Sequence, residues 1–220
     1  MQHKFVLLLS LTSTLSAAAF SPTPASRRNF LENVFSAGGA AAAASLVSST
    51  GLPQPALADD ITVGGKIQFG ADDIMAPKAH GTSNVPVQQN LRYGVSNKLA
   101  DKICNFNRHF AEYSGSFKET NFEEVVRAAN GPVTFYDSNS GKPLFVAPIG
   151  RSVEEFIEES EYHGWPSFRD QEVVWDNVRV LKSSGETVSV DGTHLGHNIP
   201  SRDKRNRYCI NLVSVAGNPV

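Results

Sequence analysis

A mainly β protein of the α+β class, with short helices at its periphery, is what the second half of the sequence predicts. Two apolar runs, residues 133–136 and 144–147, flank a turn at Asn139-Ser140-Gly141 and read as a hairpin. Two more, residues 173–181 and 187–190, flank a Ser-Ser-Gly-Glu turn, and residues 207–215 read as a last strand. Helical periodicity is confined to three short stretches.

The elements follow in order. Residues 59–95 are rich in Gly, Pro and Asn with little periodicity, an irregular arm. In residues 96–110, Leu99, Ile103, Phe106 and Phe110 recur near a 3.6 period and predict a helix. Thr120-Asn121-Phe122-Glu123 has the pattern of a capping box, and Asn130-Gly131-Pro132 closes the helix it opens. Residues 152–162 predict an acidic helix. Ser152 caps it, Glu155 completes the box, and Val153, Phe156 and Ile157 face inward.

The first 58 residues read as an address. Lys4 precedes a short apolar run, and Ala17-Ala18-Ala19 offers a small-residue cleavage site, so residues 1–19 read as a signal peptide. The run is too short to span a bilayer. Phe20 then opens an acid-poor stretch that resembles the bipartite leader of algae with red-lineage complex plastids. Ser26-Arg27-Arg28-Asn29-Phe30-Leu31 matches a twin-arginine signal, followed by a mild apolar region and a second small-residue site at Ala56-Leu57-Ala58. Three processing signals in this order predict delivery to a thylakoid lumen, with residues 20–58 as the plastid and lumen-targeting segment.

The mature chain, residues 59–220, is one domain's length. Three of the 20 basic residues (Lys4, Arg27, Arg28) and one of the 22 acidic ones (Glu32) lie in the leader, which leaves a mature net charge of −4. There is no basic stripe, which argues against nucleic acid. No later stretch has the length and hydrophobicity of a membrane span. The two cysteines, Cys104 and Cys209, are too few for a disulfide framework or a four-thiolate zinc site. They leave one disulfide, or one reactive thiol and a bystander.

Cys209 sits in Arg207-Tyr208-Cys209-Ile210-Asn211. In a strand, alternation puts Arg207, Cys209 and Asn211 on one face and Tyr208, Ile210 and Leu212 on the other. A polar triplet around a thiol is unusual for an inert cysteine, and Arg207 would favour the thiolate. A half-buried, unreactive Cys209 is the competing reading. Gly192-Thr193-His194-Leu195-Gly196-His197 brings two imidazoles just upstream, for a metal or for proton transfer; with no third ligand evident, proton transfer is at least as well supported. Gly164-Trp165-Pro166-Ser167-Phe168 holds a Trp in a rigid turn, for packing or for a ligand.

Together these motifs resemble the methionine-R-sulfoxide reductase B family (the SelR domain). That family carries a GWPSF element, a G-x-H-L-G-H element and an R-[YF]-C-I-N strand in this order. Gly141-Lys142-Pro143-Leu144-Phe145 matches its G-x-P-L-F as well. The core resemblance covers residues 131–215 of a domain at 96–220. It implies a tent-shaped, Mss4-like fold of two small antiparallel sheets. It also implies thiol-dependent reduction of methionine-R-sulfoxide, free or in oxidised proteins. Cys209 would be the nucleophile, assisted by His194, His197, Asn211 and Arg207. Trp165 and Phe168 would bind the substrate, and an external, thioredoxin-like thiol would be the reductant.

The chain departs from the family in places. Many members hold zinc with two Cys-x-x-Cys pairs; the matching positions here are Asp137, Ser140, Val188 and Asp191. Val188 has no donor atom, so no zinc and no other cofactor is expected. The common position of the resolving cysteine holds His163, which leaves Cys104 as the one candidate to resolve Cys209. The link between Phe145 and Gly164 is long and holds the acidic helix, and Ser201 stands where an Asp is usual. Two rival readings remain on the same fold: a non-catalytic lumenal binding or assembly module, and another thiol enzyme such as a peroxide reductase.

Overall fold

Asn130 has a left-handed backbone (φ 48°), and this single residue turns the chain from its helical first part into its sheets. The computed structural model describes residues 61–106 and 109–220, which fall in one unit spanning Thr50–Val220. The leader at residues 1–58 lies outside the described residues. The arm from residue 61 is irregular apart from the short strand β1 (Phe69–Gly70) and two 3-10 turns, at Asp72–Met75 and Arg92–Gly94.

Helix α1 (Asn97–Asn105) opens at Ser96, whose Oγ accepts from the Leu99 N–H. It is shorter than its apolar spacing predicts. It ends where Thr82 takes its last carbonyls: the Thr82 hydroxyl donates to the Cys104 carbonyl and the Thr82 N–H to the Asn105 carbonyl. Phe106 and Phe110 are therefore 50% and 42% exposed, and Ala100, Ile103 and Cys104 form the buried face instead.

Helix α2 (Phe122–Ala129) starts where expected but not through the expected box. Thr120 Oγ1 accepts from the Phe122 N–H at 3.2 Å, and Glu123 pairs with Arg127 one turn on. Helix α3 (Val153–His163) has the full capping box, with the Glu155 N–H on Ser152 Oγ and the Ser152 N–H on Glu155 Oε2.

Strands β2 (Val133–Tyr136) and β3 (Pro143–Ala147) form the predicted hairpin, an antiparallel two-stranded sheet. The other strands are β4 (Ser167–Phe168), β5 (Val178–Leu181), β6 (Glu186–Ser189), β7 (His194–Asn198) and β8 (Tyr208–Ile210). With β1 they make a six-stranded sheet in the order β1-β5-β6-β7-β8-β4. It is mixed rather than wholly antiparallel, because β1 runs parallel to β5. Neither sheet closes into a barrel.

Two strands are shorter than their apolar runs. Val173, Val174 and Trp175 are buried, but the Asn177 N–H turns back to the Val174 carbonyl, so β5 starts at Val178. After Ile210 the chain tightens into a 3-10 turn, Leu212–Ser214. An apolar run alone does not separate these conformations.

The core lies where the hairpin, the large sheet and the helices meet. Phe145 of β3 stacks on Phe168 of β4 with centroids 4.3 Å apart, and Phe135, Phe156 and Phe122 continue the cluster. All five rings are fully buried. Each contributes about 1.5–3 kcal/mol through burial, which fixes β4 and hence the strand beside it.

Candidate active site

Strand β8 lies between β7 and β4, and its residues alternate as the sequence predicts. Tyr208, Ile210 and, just past the strand, Leu212 have no exposure. Cys209 and Asn211 line a cavity of about 240 Å³ on the opposite side. Cys209 pairs with Ser167 across β4 and with His197 across β7.

Both imidazoles reach this cavity because of a β-bulge. Thr187 pairs with Gly196, but Val188 pairs with His194, so Leu195 is an extra residue in β7. In a regular strand, residues three apart face opposite sides. The bulge re-aims one of them. His194 and His197 then share the cavity wall with ring centroids 5.7 Å apart, while Leu195 is buried in the core. Gly196 permits this close approach: a Cβ there would overlap the Cys209 carbonyl oxygen.

His194 is only 4% exposed and is held by a residue the sequence did not single out. Its Nδ1 lies 2.7 Å from Oε1 of Glu186, a buried carboxylate on β6. Donation from Nδ1 to that carboxylate sets the tautomer of the neutral ring. Folding residues 186–198 as a hairpin about Val190-Asp191-Gly192 would have placed Glu186 near these histidines.

Arg207 donates through Nη1 to the Cys209 sulfur. Burial pushes the thiol above its ordinary value, and the Arg207 guanidinium pulls it back in part. Arg207 favours the thiolate, as its charge predicts, and desolvation outweighs it. The His197 imidazole is held below its usual value by burial and by neighbouring His194.

Trp165 forms a wall of the cavity, its indole N–H donating to the Glu112 carbonyl at 3.2 Å. Phe168 does not. It is fully buried against Phe145, because β4 turns it away from the face that carries Cys209's partner Ser167. The remaining walls, His109, Phe110, Ala111 and Ile199, carry no distinctive sequence signal.

Cys104 stands apart from the cavity, on α1. Its sulfur is 3.8 Å from the Val213 carbonyl and 3.7 Å from Ser214 Oγ, and burial raises its thiol well above the ordinary range. His163 ends α3 near Arg207. Burial, with Arg207 adding to it, lowers its imidazole below the usual value.

Three of the four positions that the resemblance sets against zinc ligands have other partners. Val188 packs with Met75 and Leu181. Asp137 Oδ1 accepts from the Asn139 N–H and from Thr193 Oγ1, and Asp191 pairs with Lys142. Among the described residues no three His, Cys, Asp or Glu side chains are grouped as metal ligands, and no helix is long and apolar enough to cross a membrane.

Comparison of the chain with protein-family models gives no match, and comparison with curated proteins gives none either. Chemically, the cavity offers a thiol beside a guanidinium, two imidazoles, a carboxamide and an aromatic wall. That set can attack an electrophilic sulfur or oxygen and return a proton to the departing atom.

Proposed function

We propose that the chain reduces methionine-R-sulfoxide to methionine, on a fold of the reductase B kind, in the thylakoid lumen after loss of residues 1–58. The observation that carries the reading is the convergence of Cys209, His194, His197, Asn211 and Trp165 on one cavity.

Cys209 thiolate attacks the sulfoxide sulfur, and the sulfoxide oxygen takes a proton from the histidine pair. The S–O bond to the substrate sulfur breaks and an S–O bond to Cys209 forms. Methionine is released and Cys209 is left as a sulfenic acid, a reversible rung of thiol oxidation. Two equivalents of an external thiol, of the thioredoxin-like class, then return Cys209 to the thiol and yield a disulfide and water. Glu186 holds His194 so that Nε2 serves the oxygen. Trp165 gives the S-methyl group an apolar wall, a feature peroxide reduction does not need.

The deciding assay uses dabsylated methionine sulfoxide, with R and S epimers separate and dithiothreitol as reductant. The R epimer alone should be consumed, and Cys209→Ser should abolish turnover in a folded protein. His194→Ala and His197→Ala should each lower kcat by about 10²- to 10⁴-fold. An inert wild-type protein would favour the binding-module reading instead.

A further inference from the structure

Glu112 is 3% exposed and lies in the connection after α1, far in sequence from every motif above. Its two ends do different things. Its backbone carbonyl accepts the Trp165 indole N–H at 3.2 Å. Its Oε2 accepts the Leu212 N–H at 2.8 Å, from the residue directly after Asn211. The residues just before it, His109, Phe110 and Ala111, supply a further wall of the same cavity. Burial raises the carboxyl group above its ordinary range, while the Ser116 hydroxyl and the Leu212 and Val213 amides work in the other direction.

We infer that Glu112 is a positioning residue that sets the width of the S-methyl pocket. It ties the Trp165 wall and the Asn211 wall to one backbone position. The inference rests on the sulfoxide-reductase reading for its kinetic consequence, but not for its geometric one. A Glu buried for packing alone would be replaceable by an apolar residue. A Glu used to hold the Leu212 N–H has to keep a side-chain acceptor in place, since an orphaned buried N–H is costly. With the acceptor gone, the Leu212 amide must find another partner and the turn Leu212–Ser214 moves with it. Asn211 and Trp165 then drift apart, and small displacements of this kind cost rate steeply.

The test compares Glu112→Ala and Glu112→Gln in the full-length chain. Glutamine keeps an acceptor oxygen for the Leu212 N–H; alanine keeps none. For the R epimer, kcat/KM should fall about 100-fold in Glu112→Ala, mainly through kcat, and recover to within about tenfold in Glu112→Gln. In a Trp175→Phe background, Trp165 emission should shift to the red and quench more readily with acrylamide in Glu112→Ala alone. Equal loss in both variants with unchanged Trp165 emission would overturn the inference, as would a wild-type kcat/KM in Glu112→Ala. Should the alanine variant be recovered unfolded, Glu112→Asp replaces it. Withdrawing the acceptor by one methylene should cost about tenfold, and no loss overturns the claim. If the wild-type chain reduces neither epimer, the functional reading fails, and the Trp165 emission still decides whether Glu112 positions that wall.

Discussion

His197 lies directly opposite Cys209 across the ladder of β7 and β8, and the two groups have been moved in opposite directions. Burial raises the thiol and lowers the imidazole. In the proposed reaction the pair thiolate plus imidazolium carries the same single proton as thiol plus neutral imidazole. With the thiol the weaker acid, that one-proton form spans a wide pH range. It is lost when His197 and Cys209 both hold protons at low pH, and when both have lost them at high pH. The profile of kcat/KM for the R epimer should be a broad bell. Its acid limb should fall below the usual histidine value and its alkaline limb above the usual thiol value. Arg207→Ala should push the alkaline limb higher still and lower the plateau. A profile that ends in the neutral range on its alkaline side would show that Cys209 is not the titrating nucleophile.

Recycling should not involve the second cysteine. Cys104 is enclosed between α1 and the turn Leu212–Ser214 and takes no part in the cavity that holds Cys209. Forming a disulfide would require Cα atoms within about 7 Å and matching Cβ directions. Cys104→Ser should retain multiple-turnover activity with dithiothreitol and with a thioredoxin system. Mass spectrometry after one equivalent of R-sulfoxide without reductant should find sulfenic acid at Cys209. A Cys104–Cys209 disulfide in that sample would end the single-cysteine scheme.

Gly196→Ala tests the bulge. The added methyl group meets the Cys209 carbonyl oxygen, so β7 and β8 must part where the two histidines are aimed. A loss of about 1–3 kcal/mol in stability is expected, with activity down about 100-fold. Gly131→Ala, where a Cβ would find only the Ala129 carbonyl at 3.8 Å, should be neutral. Wild-type turnover by Gly196→Ala would mean that the shared face of His194 and His197 does not depend on that close approach.

A buried ion cluster supports the strand beside the cysteine. The Arg151 side chain, 2% exposed, pairs with Glu159 at 2.8 Å and with the fully buried Glu172 at 2.6 Å. It also donates to the Ser167 carbonyl of β4. Arg151→Met leaves Glu172 unpaired in the interior and should cost about 3–5 kcal/mol in urea unfolding. Removing the exposed Arg127–Glu154 pair should leave the midpoint where it was. Equal effects from the two substitutions would show that the interior pair is solvated.

The residues that sequence alone placed correctly are those governed by local chemistry. Ser152 and Glu155 cap α3 as their spacing demands, and Asn139-Ser140-Gly141 turns the β2–β3 hairpin. The alternation around Cys209 also follows from the strand period. What failed depends on distant partners. Phe106 and Phe110 keep helical spacing, but Thr82, more than 20 residues away, takes the Cys104 and Asn105 carbonyls and the helix stops. The bulge at Leu195 exists only in the pairing of β7 with β6, so two histidines three apart could not be assigned a face beforehand. Glu186 and Glu112 are ordinary carboxylates in sequence, and only folding brings them to His194 and Trp165.

Gln88 and Asn218 are 130 residues apart in sequence, yet the Gln88 side chain exchanges two hydrogen bonds with the Asn218 backbone. Arg92 N–H likewise reaches the Ala216 carbonyl, and β1 pairs with β5. Closing so long a loop costs chain entropy before any contact repays it. Residues 88–92 of the arm are thus fastened in part to residues 216–218, whereas β1 is fastened to β5. A truncation at residue 215 would withdraw the Ala216 and Asn218 anchors from the arm while leaving β5, Cys209 and both histidines in the chain.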